Sequence, residues 1–246
     1  MTLLVGVCAL VGPPSAHAST TLYPDLVMKQ IVNVKIDTTT VPGHTLLRYS
    51  ASMINLGAGA LELRGSRPDS SQPDMTTVKQ RIYDDGGGHV DTQVPGYIFY
   101  AGDGHNHWHY ADIEGGTLST LDGTPIGFLA KHGFCFSDSA SWDLSLPGAP
   151  PVKVYHGCAA NQPQALKVTM GLSVGWLDRY GANTNLQWID VTGLAPGTYR
   201  LTDTVNPNLS VIESCDTNNS SYATIRINSD NTVNRLSASP TPSPGC

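Results

Sequence analysis

Long apolar runs are missing from this chain of 246 residues. Beyond the first segment, nothing approaches the roughly 18 consecutive apolar residues of a membrane-crossing helix, so no helical span is expected. Apolar residues at a sustained 3.6 spacing are equally scarce, which argues against a helical architecture. Charge is thin: 14 Lys and Arg stand against 20 Asp and Glu, for a formal net charge of -6. The basic residues are scattered rather than banded, so the sequence offers no electrostatic footprint for nucleic acid. No internal repeat is present, and a length of this order suits one domain with one sizeable core.

Short apolar alternations broken by Gly, Pro, Asn and Asp run throughout, as in LLRYSASMINLGAGALELRG (46–65) and LQWIDVTGLAPGTYRLTDTVNPN (186–208). They predict a mostly β fold, an antiparallel β-sandwich core with long irregular loops. In the second stretch, Leu186–Val191 and Tyr199–Thr204 flank TGLAPG, which predicts a hairpin turning at Pro196-Gly197. DDGGGHVDTQVPG (84–96) and SDSASWDLSLPGAPPVK (137–153) read as Gly/Pro-rich loops, and SASPTPSPG (237–245) as low-complexity tail. The expected organisation is a leader over 1–18, a domain over 19–228 and a tail over 229–246. The leader, MTLLVGVCALVGPPSAHA, is a short apolar run ending in Ala16-His17-Ala18, a secretory signal pattern that predicts a secreted chain. Cys8 falls within it. The remaining Cys135, Cys158, Cys215 and Cys246 are even in number, and in an exported protein disulfides are the default over catalytic thiols.

The richest segment is DGHNHWHY (103–110), with His105, His107 and His109 at alternate positions. Alternate side chains of a strand share a face, so three imidazoles would point together as metal ligands. A flat strand holds the first and third about 13 Å apart at roughly 3.3 Å per residue, too far for one ion. The backbone must bend, and Gly102 and Gly104 make a bend or bulge inexpensive. Three neutral imidazoles without a thiolate suit zinc or copper, and the spacing does not choose between hydrolytic and redox chemistry.

HNHWH is similar to the copper-binding HxHxH segment of the lysyl oxidase family, and further motifs follow in order. LAKHGFCFSD (129–138) resembles the stretch that holds the family's cofactor lysine, here Lys131, and LDRYGANTNLQWIDVTGLAPGTY (177–199) the stretch that holds its cofactor tyrosine, here Tyr180. YPDLV and NPNLSVIESCDTNN are similar to the family's first and last strands, so the resemblance covers about residues 23–227. It implies a copper amine oxidase whose lysine tyrosylquinone is made from Lys131 and Tyr180. Such an enzyme oxidises primary amines or peptidyl lysine to aldehydes with O2, releasing peroxide and ammonia. It further implies Asp178 as the base for the α-proton, although Asp178 could instead pair with Arg179 or Lys167 as a solvated charge.

The resemblance also implies a Cys135–Cys158 disulfide. A second family bridge has Ser141 and Trp176 at its positions, and another family cysteine corresponds to Leu186. Cys215 and Cys246 could pair with each other or cross-link chains. Some members bind calcium, at positions matching Asp25, the Leu26 carbonyl, Glu213, Asn218 and Asn219; Cys215 stands where the family has Asp, with Asp216 one residue later. The competing reading is an exported β-sandwich that binds zinc or copper for structure or adhesion and never forms a quinone. The joint presence of Lys131 and Tyr180 favours the enzyme.

Overall fold

The computed structural model describes residues 19–246 except Asp103 and Thr241; the expected leader and its cleavage site lie outside the described residues. Among the described residues there is no helix, and the strands form four antiparallel sheets, none closed into a barrel. The organising strand is Leu46–Asn55, buried at all ten positions. It pairs with Leu26–Met28, Val32–Asp37, Trp176–Tyr180 and Trp188–Asp190. A strand covered on both faces gains nothing from strict alternation, which is why its sequence is a mixture of Leu, Tyr, Ala, Met and Ile with small Ser residues. Ser220–Ile227 has one solvated face and does alternate, burying Ser221, Ala223, Ile225 and Ile227. It lies in a sheet of order Pro125–Phe128, Glu114–Ser119, Gly197–Val205, Ser220–Ile227 and Val233–Ala238. Between the sheets sits one large core, with Tyr49, Trp108, Tyr110, Phe134 and Phe136 fully buried. Each such ring contributes roughly 1.5–3 kcal/mol relative to exposure.

Two expectations about pairing and the C-terminal stretch change, and two expected loops hold strands: His89–Gln93 pairs with Thr77–Asp84, and Ala140–Ser141 with Trp176–Tyr180. Trp188–Asp190 and Gly197–Val205 do not form a hairpin: the first pairs with Leu46–Asn55, the second with Glu114–Ser119 and Ser220–Ile227. The turn between them carries the chain from one sheet to another, started by Leu194 N–H donating to the Val191 carbonyl (3.0 Å) and closed by Tyr199 Oη donating to the Ala195 carbonyl (2.6 Å). Pro-Gly chemistry marks a turn but not which strands it joins. The second change lies in the stretch from 229 onward, where Val233–Ala238 is an edge strand and Cys246 is bonded to Cys215. Its largely exposed side chains carry no apolar alternation, so composition alone reads it as tail.

Candidate metal centre and its neighbours

His107–Ala111 pairs with Ile98–Ala101, setting His107 opposite Ala101 and His109 opposite Phe99. The strand is anchored through its other face. Trp108 is buried, donates from Nε1 to the Gln162 carbonyl (3.0 Å) and carries the Arg67 guanidinium 4.7 Å from its ring centroid, while Tyr110 Oη donates to the Pro95 carbonyl. His105 is not on this strand. It sits in the preceding turn, where Gly104 (φ 96°) and Asn106 (φ 51°) adopt left-handed conformations and fold it back over the other two. The expected bend is therefore present, but Gly102 is not one of its left-handed residues; Asn is among the few side chains that tolerate this region.

The three rings come together with centroids 4.7–5.4 Å apart, and one ligand nitrogen from each lies within 4.8 Å of the others. His107 Nε2 is 2.7 Å from His109 Nε2. Desolvation, followed by the positive fields of Lys131 and the other two imidazoles, lowers the His109 pKa to about 2. A ring so held is neutral and keeps a lone pair for a metal. Backbone hydrogen bonds brace the segment: Trp108 N–H donates to the Cys158 carbonyl (3.0 Å) and Asn161 N–H to the Asn106 carbonyl (2.7 Å). Cys158 is bonded to Cys135, as the resemblance implied, which ties this bracing loop to the chain beside Lys131.

Lys131 is held between sheets by hydrogen bonds of its neighbours. Leu129 and Ala130 N–H groups donate to the Gly116 and Trp188 carbonyls (2.8 and 2.9 Å), and Asp112 N–H to the His132 carbonyl (2.7 Å). The lysine is only 2% exposed, with Nζ 5.1 Å from the Phe134 centroid and 5.3 Å from the Tyr180 centroid. Phe134 meets Tyr180 edge-on at 5.0 Å. Buried Leu129 and Phe134 supply apolar surroundings for the lysine, while Phe128 is 66% exposed. A cavity of about 230 Å³ touches Phe99, His109, Lys131, Gly133 and Leu186, joining the histidine side to the lysine.

Tyr180 and Asp178 share a face of Trp176–Tyr180, opposite Ala51 and Met53. Tyr180 Oη lies 2.8 Å from Asp178 Oδ2 and 3.0 Å from the Cys135 carbonyl, both in reach of its one proton. Burial raises the Asp178 pKa to about 6, opposed by hydroxyl donors led by Ser139. Burial, then the Asp178 charge, pushes the Tyr180 phenol well above its usual range. The solvated-pair alternative for Asp178 falls away, because its carboxyl is inside and Arg179 points to solvent on the other face.

Three groups near the site escaped the sequence reading. Arg48 is buried in the central strand, donates to Asp37 (2.7 Å) and to the Ala182 and Thr184 carbonyls (3.0 and 3.2 Å), and fixes the loop after Tyr180. Its only signal was an Arg inside an apolar run. Glu114 and Asp203, buried on adjacent strands, are both pushed toward their protonated forms by burial. Ser139 donates to Asp178 Oδ1 (2.6 Å) from a segment that composition marks only as loop.

The calcium positions are brought together but engaged by N–H donors. Asp25 accepts from Asn218 Nδ2 (2.8 Å) and Gly245 N–H (2.7 Å), and Glu213 accepts from Leu26 N–H (2.7 Å), Asn206 Nδ2 (2.6 Å) and Asn219 Nδ2 (2.7 Å). Asp216 is exposed. Calcium takes six to eight oxygens, and beside the two carboxylates Asn218 Oδ1 and Asn219 Oδ1 are buried without a hydrogen-bond partner.

Fold and site define an all-β protein with a three-histidine cluster that could hold a metal ion, near a buried lysine and tyrosine. Residues 77–236 match the family model described as lysyl oxidase. Human protein-lysine 6-oxidase is 34% identical over 181 residues, covering 68% of this chain and 39% of the human protein. Lysyl oxidase homolog 3A of Danio rerio is 33% identical over 116 residues, and lysyl oxidase homolog 2 of Xenopus laevis 33% over 118; these cover 47% and 48% of this chain and 14% of each relative. The chain belongs to the lysyl oxidase family. It spans well under half the length of these relatives.

Proposed function

We propose that this chain is an exported, copper-dependent amine oxidase that joins Lys131 to Tyr180 as lysine tyrosylquinone. It converts primary amines, peptidyl lysine among them, to aldehydes with O2, releasing peroxide and ammonia. The observation that carries the reading is the placement of Lys131 Nζ 5.3 Å from the Tyr180 ring centroid, with Lys131 also lining a pocket that reaches His109. His105, His107 and His109 would hold copper. Bound copper supplies oxidation of the tyrosine ring with O2, and the resulting quinone supplies a carbonyl that takes electrons from the amine.

The chain's own residues do the rest. The fold holds amine and ring side by side, replacing an encounter between two groups by one local step. Lys131 must be neutral to act as a nucleophile. Asp178, with a pKa of about 6, is ionised at neutral pH and can take a proton from substrate. Two disulfides suit an oxidising compartment, in keeping with export. The printed name of the human relative supports peptidyl lysine as a substrate. The test is tryptic mass spectrometry after incubation with Cu(II) in air. The expected product is a cross-linked peptide pair, absent in Lys131→Ala and Tyr180→Phe. If both peptides run unmodified, the protein is a metal-binding module and the enzyme reading fails.

A further inference from the structure

Asp178 is gripped at both oxygens. Tyr180 Oη lies at Oδ2, while Ser139 Oγ donates to Oδ1 at 2.6 Å, with Ser137 Oγ more distant at 3.4 Å. Ser139 is itself fixed. Its backbone N–H donates to the Leu177 carbonyl (3.0 Å), and its Oγ accepts the Arg179 N–H (3.2 Å), which leaves the hydroxyl's single proton for Asp178. Lys153 Nζ donates to the Ser139 carbonyl (3.0 Å). Asp138, the residue before, faces elsewhere and accepts the N–H groups of Val154, Tyr155 and Ser173, pinning the segment from its other side. The ionisable groups around Asp178 are Tyr180 and Arg179 on its own strand, Lys131 over the Tyr180 ring, Glu114 from Glu114–Ser119 and Lys153 beyond Ser139.

We propose that Ser139 is a positioning residue for amine oxidation: its hydroxyl holds Oδ1 of Asp178 so that Oδ2 faces the Tyr180 hydroxyl, and keeps the carboxyl in its ionised, proton-accepting form. The proposal rests on the amine-oxidase reading, in which Asp178 is the base. Its physical basis is a competition. Burial drives the carboxyl toward the neutral form, and among the opposing hydrogen bonds that of Ser139 is the largest. Hydrogen bonds to the charged form favour it, and here the strongest comes from a side chain that sequence placed in a loop.

The experiment compares Ser139→Ala and Ser139→Thr with wild type in two measurements. In copper-loaded protein, the acid limb of the amine-oxidation pH profile should move up by about one unit in Ser139→Ala, a loss of roughly tenfold below the limb that shrinks above it. Ser139→Thr, which keeps the hydroxyl, should restore the limb. In the full chain before copper loading, a 13C titration of the Asp178 carboxyl, assigned with Asp178→Asn, should show the same upward movement. An unmoved titration midpoint, or a loss of activity equal at every pH, overturns the proposal. Absence of turnover in wild type overturns the amine-oxidase reading instead, and the carboxyl titration still decides whether Ser139 holds Asp178.

Discussion

Asp178→Asn should make the protein more stable at neutral pH relative to wild type than it is in acid, because the native carboxyl is ionised at a cost. Asp178 is 3% exposed, and its pKa is raised from 3.8 to about 6. Below 3.8 the carboxyl is protonated in folded and unfolded chains alike, so wild type and variant differ by a constant. Between 3.8 and about 6 the unfolded chain releases its proton while the folded chain retains it. Wild type therefore loses stability against the variant by about 1.4 kcal/mol per pH unit across this window, and the difference is level above it. The total is about 3 kcal/mol. Groups remote from Asp178 are common to both chains and cancel in the difference, whereas Glu114 and Tyr180 feel the Asp178 charge and add to it. The assay is urea unfolding of copper-free wild type and variant, disulfides intact, from roughly pH 3.5 to 8. A stability difference independent of pH would refute the argument that burial perturbs this carboxyl. The same variant should retain the Lys131–Tyr180 cross-link once formed but lose amine turnover by roughly 100-fold, the usual yield of a positioned base.

Two further predictions concern the metal centre. His107→Ala should abolish copper retention and cross-link formation while leaving the far-ultraviolet β signature unchanged, since the core lies in the sheets; unchanged copper stoichiometry would reject the three-histidine site. Gly133→Ala would place a Cβ 2.4 Å from Phe99 Cζ and 2.7 Å from His109 Cβ, so ring or ligand must move. Copper affinity by competition titration should fall about 10- to 100-fold, the range for disturbed support of a metal ligand, and an unchanged affinity would show that the site absorbs the methyl group.

The class of fold and the three-histidine cluster that could hold a metal were legible in the sequence alone. Alternation without helical period is a local property, so an all-β chain was legible before any contact was known. Three histidines at alternate positions, together with the demand for a bend, pointed to converging rings because the chain geometry within five residues is nearly closed. Resemblance, not periodicity, singled out Lys131, Tyr180 and the Cys135–Cys158 bond: a lone Lys or Tyr carries no local mark of function. Tertiary structure decided the rest. Whether Trp188–Asp190 would pair with its neighbour in sequence or with Leu46–Asn55 depends on which sheet has an open edge, and no turn motif encodes that. Only packing reveals that Lys131 Nζ faces the Tyr180 ring, that Asp178 turns inward and that Ser139 meets it. These are long-range relations among side chains whose types are ordinary. A hydroxyl in a polar loop and a hydroxyl that orients a buried carboxylate read alike in sequence, and differ only in what the fold sets against them.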